Sequence, residues 1–392
     1  MTGGSAMPGG AATPGRPPHR VLWLTEHYPP SRGGMAHSCD RIVRGLRTAG
    51  AQIDVAHLTR RARPWSVGRE HGGRLITAPL GDDPEHALRR LWTTVTAENL
   101  TGYTHVAAFG GTYAMLAAPV LSALLGAPLV TLLRGNDIDV GAFSMRRRGV
   151  LTDALRASSR VCVVARSHAP LVAALAPGAA VVHVANGVDT AQWRILPSER
   201  ERARAWRERN VEPGRRVVGL IGQLKVKKGV RFFLDALAAS GHADAFHLLL
   251  VGEVEESVTE RLAEGGIPHS SLPFLDRYDL PAVYASCDLV ALPSFYDGMP
   301  NVALEAAALG VPLIASDAGG LADVADDEIG FTFPAGDAHA CREAIDRAAR
   351  AGDAELAKLG AAGAERIRRD FTPAAETAGY LAVLDAVLDS GS

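Results

Sequence analysis

Cysteine is scarce in this sequence of 392 residues, and its spacing argues against two kinds of site. The four cysteines lie far apart and form no CxxC pair: Cys39, Cys162, Cys287 and Cys341. Zinc sites and disulfide frameworks both need cysteines at recurring short spacings or in pairs. We therefore expect neither, and we infer a protein of the reducing cytoplasm.

Long apolar runs are also missing. No run reaches the ~18 residues that a membrane-spanning helix needs. Residues 1–18 are rich in glycine, alanine and proline and lack the apolar stretch of a secretory signal. We interpret them as a disordered tail that precedes the folded chain.

Several motifs of other enzyme and binding classes are absent. The sequence has no GxGxxG fingerprint, which disfavours a dinucleotide-dependent dehydrogenase. It has no DxD motif and no clustered histidines, so we expect neither a metal nor another cofactor. No nucleic-acid-binding motif is present, and we expect no nucleic-acid partner.

Lysine is rare, with four residues against 37 arginines, and three of the four lie within residues 225–228. They directly follow an apolar run at 217–221 and are flanked by Gly222 and Gly229. A compact ammonium group at the carboxyl edge of a strand suits a diphosphate. A solvated surface cluster is the alternative explanation.

The charge is unevenly divided between the two halves. Residues 1–185 hold 20 arginines and 11 acidic residues, a net +9, whereas residues 186–392 hold 21 basic and 32 acidic residues, a net −11. The basic half predicts an anionic partner, either an acidic acceptor or a membrane surface. Attraction between the two halves explains the asymmetry equally well.

Short β-rich apolar runs alternate with helical patterns in two successive series. The first series predicts strands at 21–25, 53–58, 75–78, 106–109, 129–133, 161–164 and 181–184; the second, at 217–221, 247–251, 289–292, 313–315 and 331–333. Such alternation predicts parallel sheets covered by helices on both faces. We expect an α/β protein of two Rossmann-like doubly wound domains facing across a cleft, at 19–188 and 215–370, with a linker at 189–214 and a terminal helix at 371–392.

Two further segments combine features of an anion site. Gly33 and Gly34 lie between a strand and a helix, where backbone N–H groups can approach an anion; an ordinary turn is the alternative. Asp297 lies in a loop before a helix that contains Glu305, and we expect Asn301 to cap that helix. The two acids could hydrogen-bond different hydroxyls of one ligand. A buried Glu305 would need a partner.

With these motifs in order, the chain from about residue 19 to 388 resembles the family-4 glycosyltransferases of the GT-B fold. Residues 293–312 resemble the family segment P-S-x-x-E-G-x-P-x-x-x-x-E-A-x-x-x-G-x-P, and residues 186–189 its N-G-V-D. Gly33-Gly34 resembles its donor-diphosphate loop, and Gly319-Gly320 the loop near the donor sugar. The resemblance also implies that the last helix crosses back to the first domain.

The resemblance implies roles for individual residues. Glu305 would bind the ribose of a nucleotide, Asp297 hydroxyls of the transferred sugar and Lys228 the phosphates. The remaining donor-binding positions it implies are Gly33, Gly34, Gln223, Gly298, Asn301 and Val302, with residues 272–278 near the base. The first domain would bind the acceptor, and Arg134 and Asp137 would contact it. Asp297, Lys228 and Arg134 are the implied catalytic residues.

Three positions depart from the family pattern. Asp297 replaces a glutamate, which could alter the sugar that fits. Gln223 replaces a phosphate-binding arginine, a charge that Lys225 or Lys227 could restore. Arg134 stands where many members have a histidine; it cannot act as a general base, because its pKa is too high, but it could hold an anionic acceptor or the sugar. A weak or inactive enzyme is the alternative that these departures leave open.

Together the resemblance implies a metal-independent transferase that moves a sugar from a nucleotide-diphosphate sugar to an acceptor hydroxyl with retention of configuration. The acceptor could be anionic, lipid-linked or a soluble scaffold. Arginines interleaved with Trp65 and Trp92 suit a peripheral contact with the inner face of the membrane, and solvated loops are the alternative. A nucleotide-sugar epimerase and a non-catalytic sugar-nucleotide-binding subunit remain alternative functions.

Overall fold

The computed structural model describes residues 19–389. The predicted disordered tail, residues 1–18, lies outside the described residues. The chain folds into two lobes, each with one sheet covered by helices on both faces. The expected α/β architecture of two parallel-sheet domains is confirmed.

The first lobe contains an eight-stranded sheet in the order β3-β4-β2-β1-β5-β6-β7-β8. Its neighbouring strands are parallel except for β3, which pairs antiparallel with β4. The elements are β1 (Arg20–Thr25), α1 (Gly34–Thr48), β2 (Gln52–Thr59), β3 (Ser66–Glu70), β4 (Gly73–Pro79), α2 (Pro84–Ala97), β5 (His105–Phe109), α3 (Thr112–Leu125), β6 (Leu129–Leu133), α4 (Asn136–Asp139), α5 (Met145–Ala157), β7 (Ser158–Val163), α6 (His168–Leu175) and β8 (Val181–His183).

The second lobe contains a six-stranded parallel sheet in the order β11-β10-β9-β12-β13-β14. Its elements are α7 (Pro197–Asn210), β9 (Arg216–Ile221), α8 (Val230–Ser240), β10 (Phe246–Val251), α9 (Glu256–Ala263), β11 (His269–Leu272), α10 (Leu280–Ala285), β12 (Leu289–Leu292), α11 (Asn301–Ala308), β13 (Leu313–Ser316), α12 (Leu321–Val324), β14 (Gly330–Phe333), α13 (Ala338–Arg350) and α14 (Asp353–Asp370). Short 3-10 turns occupy Val226–Lys228 and Ala243–Ala245.

Side chains of β1 point alternately to the two faces of the sheet and are buried on both, as expected of a central strand. Leu22 and Leu24 are fully buried in the cluster on one face of the sheet, whereas Val21 and Trp23 are buried in the cluster on the other face. A strand covered on both faces is apolar throughout, as parallel sheets require. The hydrophobic run at 21–25 therefore predicts this strand well.

The sequence did not predict β3 or β11. β3 is the peptide Ser-Val-Gly-Arg-Glu and β11 is His-Ser-Ser-Leu, and each lies at the edge of its sheet. Edge strands are partly solvated and therefore carry polar residues without a clear apolar run. The hydrophobic pattern used to find the other strands is weak in such segments.

The last helix, α15 (Pro373–Asp389), packs against α1 of the first lobe. The carbonyl oxygen of Leu384 lies 2.9 Å from Nε2 of His105 on β5. The chain passes between the lobes twice, near Val188 and near Phe371. A hydrogen bond joins these two segments, because the backbone N–H of Val188 donates to the carbonyl of Phe371 over 2.8 Å. Among the helices of residues 19–389, none has the length and apolar character needed to cross a membrane.

Candidate active site

The loops at the carboxyl edges of the two sheets touch at two glycines. Gly135 follows β6 of the first lobe, and Gly298 follows β12 of the second. A Cβ added to Gly135, whose φ is +127°, would lie 2.7 Å from the backbone nitrogen of Gly298, and a Cβ on Gly298 would clash with the carbonyl oxygen of Arg134. Glycine at both positions lets the lobes approach closely.

Lys228 and Asp297 form an ion pair beside this contact. Nζ of Lys228 pairs with Oδ2 of Asp297, and the two side chains are 25% and 14% exposed. The neighbouring Lys227 crosses to the first lobe, where its Nζ donates to Oδ1 of Asn136 over 2.7 Å. Burial, followed by the charge of Lys228, lowers the pKa of Lys227. Two ammonium groups therefore reach the line where the lobes meet.

Helix α11 begins beside the glycine loop of the first lobe. The side-chain nitrogen of Asn301 lies 3.4 Å from the carbonyl oxygen of Gly34, and Oδ1 of Asn301 has no partner among the described residues. The expectation that Asn301 caps the helix is wrong, because Pro300 occupies the cap position and Asn301 is the first helical residue. Since proline provides no capping side chain, the N–H groups of the first turn have no side-chain acceptor, and Asn301 of this turn contacts the loop containing Gly33 and Gly34.

Glu305 lies one turn inside α11 and has the partner that a buried carboxylate needs. The hydroxyl of Tyr284 donates to Oε2 of Glu305 over 2.8 Å. Burial raises the pKa of Glu305 to about 7, against the lowering effects of this hydrogen bond and of the positive charge on Arg41. The carboxylate is thus held by a fixed hydrogen-bond donor, four residues after Asn301 on α11.

Gln223, Lys228 and Val302 line one small cavity of about 30 Å³ in the second lobe. The structure thus brings together three positions that the sequence assigned to the donor site. The side-chain nitrogen of Gln223 lies 3.5 Å from a carboxylate oxygen of Glu253. Gln223 therefore lies beside a negative charge, and the nearby positive charge comes from Lys228.

Arg134 and Asp137 have protein partners within the described chain. The guanidinium of Arg134 donates to the Tyr380 hydroxyl over 2.8 Å and to the side-chain oxygen of Asn186, and it lies 5.0 Å from the Phe109 ring centre. The carboxylate of Asp137 accepts from the backbone N–H groups of Arg134 and of Gly135, the latter over 2.7 Å. We therefore group both residues with those that hold the loop in place. Their contact with an acceptor stays a prediction.

Three residues of the site, Arg41, Glu376 and Tyr284, were not identified from the sequence. Arg41 of α1 makes a bidentate pair with Glu376 of α15, over 2.7 Å and 3.0 Å, and its charge acts on Glu305 across the lobes. Tyr284 is the third. Arg41 and Glu376 are separated by 335 positions, so no local spacing indicates their pairing.

The segment at 272–278, expected near a nucleotide base, follows β11 and lies opposite the first lobe. Phe274 is 43% and Tyr278 is 72% exposed. The guanidinium of Arg32, next to Gly33, lies 6.0 Å from the centre of the Phe274 ring. An aromatic ring and a guanidinium are both suited to stack on a flat base. Within residues 19–389, no group of three or more His, Cys, Asp or Glu residues is placed to hold a metal ion.

Comparison with known proteins assigns a class to the second lobe. Residues 215–351 match the family model described as "Glycosyl transferases group 1". Comparison with curated protein sequences gives no match.

Solved structures match almost the whole chain. A sucrose-phosphate synthase from Thermosynechococcus elongatus gives a TM-score of 0.78 at 21% identity over 95% of this chain and 100% of that one. HepE from Anabaena in complex with UDP-glucose gives a TM-score of 0.76 at 18% identity over 94% of this chain and 99% of that one. The catalytic domain of starch synthase IV from Arabidopsis thaliana, bound to ADP and acarbose, gives a TM-score of 0.71 at 16% identity over 95% of this chain and 99% of that one. The chain therefore has the two-domain GT-B fold and carries a glycosyl transferases group 1 domain, the domain of a glycosyltransferase.

Proposed function

We propose that this protein is a retaining, metal-independent glycosyltransferase of the family-4 type. It transfers a sugar from a nucleotide-diphosphate sugar to an acceptor hydroxyl. One observation carries the proposal: Lys228, paired with Asp297, lines one cavity with Pro300 and Val302 at the start of α11, and Asn301 of the same turn contacts Gly34 of the glycine loop. Positive charge and backbone N–H groups thus converge on the line where the lobes meet.

The donor occupies this line with its diphosphate between the glycine loop, containing Gly33 and Gly34, and the N-terminus of α11. Backbone N–H groups of Asn301 and Val302 and the ammonium of Lys228 bind phosphate oxygens there. The ionised form of Glu305 accepts hydrogen bonds from the ribose hydroxyls. The neighbouring structures hold UDP-glucose in one case and ADP in another, so they support a nucleotide diphosphate without fixing the base.

Transfer exchanges one C–O bond for another at the anomeric carbon. The bond to the diphosphate breaks, positive charge develops on the sugar, and the acceptor oxygen attacks on the same face. The hydroxyl proton of the acceptor passes to the departing phosphate oxygen. Lys228 stabilises the charge that develops on the diphosphate, and Asp297 orients the sugar through its hydroxyls. Arg134 acts as a positioning residue through its bonds to Tyr380 and Asn186.

The acceptor binds to the first lobe, at the cytoplasmic face of the membrane if it is lipid-linked. Exposed apolar side chains beside a run of three arginines support this placement: Phe143 is 82% and Met145 is 99% exposed, and residues 146–148 are all arginine. Apolar groups flanked by positive charges favour the surface of an anionic bilayer.

A thermal-shift panel of nucleotide sugars tests the donor assignment. One base and sugar should stabilise the protein above the rest, because binding to the folded state alone raises its melting temperature. NMR of the product formed from that donor should then show the donor's anomeric configuration. An epimerised donor would identify the epimerase alternative, and binding without hydrolysis or transfer would identify a non-catalytic subunit. If no nucleotide sugar shifts the melting temperature, the proposal fails.

A further inference from the structure

Asn186 belongs to a buried polar network between the two lobes. It follows β8, where the chain passes from the first lobe to the second, and it is only 4% exposed. Its backbone N–H lies 3.3 Å from Sδ of Met299, and two residues further on the N–H of Val188 donates to the carbonyl of Phe371. These contacts fix the backbone around Asn186, so its side chain has a defined direction.

The side-chain amide of Asn186 contacts both lobes at once. On the side of the first lobe, Oδ1 accepts from Nη2 of Arg134 and, over 3.4 Å, from Nη2 of Arg41. On the side of the second lobe, Nδ2 donates to the carbonyl oxygen of Met299 over 2.9 Å. Guanidinium groups only donate and a carbonyl only accepts, so these partners allow one orientation of the amide.

This set of partners explains why an amide stands at position 186. A carboxylate would accept from both arginines but has no N–H to donate to Met299. A serine hydroxyl lies on a shorter side chain and cannot reach both lobes. An asparagine both accepts from the cations of one lobe and donates to a carbonyl of the other.

Met299 lies in the loop that carries Asp297. It comes two residues after Asp297, whose carboxylate pairs with Lys228, and it directly precedes Pro300 at the start of α11. The helix is held independently by four buried side chains: Ala303, Leu304, Ala306 and Ala307. Loss of the bond to Met299 should therefore move the loop at 297–299 more than the helix.

The same loop contacts Arg134 a second time. The guanidinium of Arg134 reaches the loop through Asn186, and its backbone carbonyl lies against Gly298, where an added Cβ would clash with it. The N–H of Gly320 donates to the carbonyl of Gly298 from the other side. The position of Arg134 in the first lobe and that of Asp297 in the second are therefore linked.

We propose that Asn186 is a positioning residue for sugar transfer. It links Arg134 to the loop of Asp297 and so sets the transferred sugar relative to the first lobe, where the acceptor binds. This inference rests on the proposed transferase function. Asn186 acts through Met299 and Arg134, and a displacement of about 1 Å can lower a rate roughly 100-fold.

Asn186→Asp tests this link while keeping the volume of the side chain. Its carboxylate still pairs with the arginines, so the variant should fold, but the bond to Met299 is lost. The kcat of transfer should fall at least about tenfold, because a buried acceptor loses its hydrogen bond. The Kd of the nucleoside diphosphate that stabilises the wild-type protein most should change by less than about threefold, because Lys228, Glu305 and α11 stay in place.

Asn210→Asp is the matched control. Nδ2 of Asn210 donates to the carbonyl oxygen of Trp206 over 2.7 Å at the exposed end of α7, so the same kind of bond is lost outside the cleft. Its kcat should equal that of the wild-type protein. Asn186→Ser brings no charge into the network and should show the same selective loss of kcat, which keeps the test open if Asn186→Asp does not fold.

A purely structural role for Asn186 predicts a different result. It would lower the melting temperature and leave kcat unchanged, or it would weaken transfer and nucleoside diphosphate binding equally. Either result in a folded Asn186 variant overturns the inference. If the wild-type protein transfers no sugar, the proposed function fails, whereas transfer at the wild-type rate by a folded Asn186 variant contradicts the positioning role alone.

Discussion

The hydroxyl of Tyr284 donates a 2.8 Å hydrogen bond to Oε2 of Glu305, and this bond holds a carboxylate whose pKa burial has raised to about 7. Tyr284 lies on α10 and Glu305 on α11, so two helices of the second lobe fix one acid at the cleft. A pKa of about 7 divides this carboxyl between its protonated and ionised forms near neutral pH.

We predict that donor affinity rises with pH through about 7, because only the ionised Glu305 accepts bonds from both ribose hydroxyls. Glu305→Gln should weaken binding at pH 8 and flatten the profile. In Tyr284→Phe the midpoint should move to higher pH, because the bond that lowers the pKa is lost. Calorimetric donor binding between pH 5.5 and 8.5, a window chosen to span ~1.5 units either side of that midpoint, measures both effects. An unmoved midpoint in Tyr284→Phe would contradict the assignment.

The same pKa has an opposite consequence for stability. Between the ordinary value of 4.5 and about 7, the folded state holds a proton on Glu305 that the unfolded state has released. Unfolding free energy should therefore fall as pH rises through this window, and Glu305→Gln should fall less steeply. Urea denaturation of the ligand-free wild-type protein and of Glu305→Gln at pH 5 and pH 8 gives the change of unfolding free energy with pH for each. Parallel slopes for the variant and the wild-type protein would count against a raised pKa.

We predict that Lys228→Ala lowers kcat by roughly 10²–10³, because it removes a charge aimed at the leaving diphosphate. Lys228→Arg should recover part of the loss. The matched control is Lys358→Ala, since Lys358 is the fourth lysine of the chain and is exposed on α14. Steady-state donor turnover measures all three variants. Unchanged turnover in Lys228→Ala would reject the role given to this lysine.

Buried strands and loop glycines could be predicted from the sequence, whereas the electrostatic environment of the site could not. The runs at 21–25 and 217–221 indicate central strands because both faces are apolar, and the predicted donor residues Gln223, Lys228 and Val302 do line one cavity. The pairing of Arg41 with Glu376 depends on the return of the last helix to the first lobe. A local pattern cannot indicate such a partner.

The contacts of Arg134 are a second case in which a local sequence pattern cannot indicate the partner. The resemblance implied that Arg134 contacts the acceptor, which stays a prediction, but the sequence does not indicate that its guanidinium also bonds Tyr380 and Asn186, which are remote in the sequence. Asn301 was misassigned for a local reason. Asparagine is a favoured cap, yet here the helix begins one residue earlier, after Pro300.

We predict that Gly298→Ala separates the lobes, because the added methyl group would clash with the carbonyl oxygen of Arg134. The radius of gyration measured by small-angle X-ray scattering should increase, and the donor KM should rise. Gly149→Ala is the control: a Cβ there meets nothing within 4 Å, and Gly149 lies inside α5, where alanine is the better helix former. An unchanged radius of gyration and an unchanged donor KM in Gly298→Ala would show that donor binding does not require the close approach of the lobes at Gly298.

We predict that Glu376→Gln lowers the unfolding free energy by about 3–5 kcal/mol, because it leaves the guanidinium of Arg41 without its charged partner. The Glu376 side chain is only 2% exposed, and it joins α15 to α1. The comparison is Glu85→Gln, which breaks an exposed pair with Arg89 and should cost about 0–1 kcal/mol. Urea unfolding at neutral pH, followed by tryptophan fluorescence, measures both. Equal losses in the two variants would mean that the Arg41–Glu376 pair does not help to hold the last helix on the first lobe.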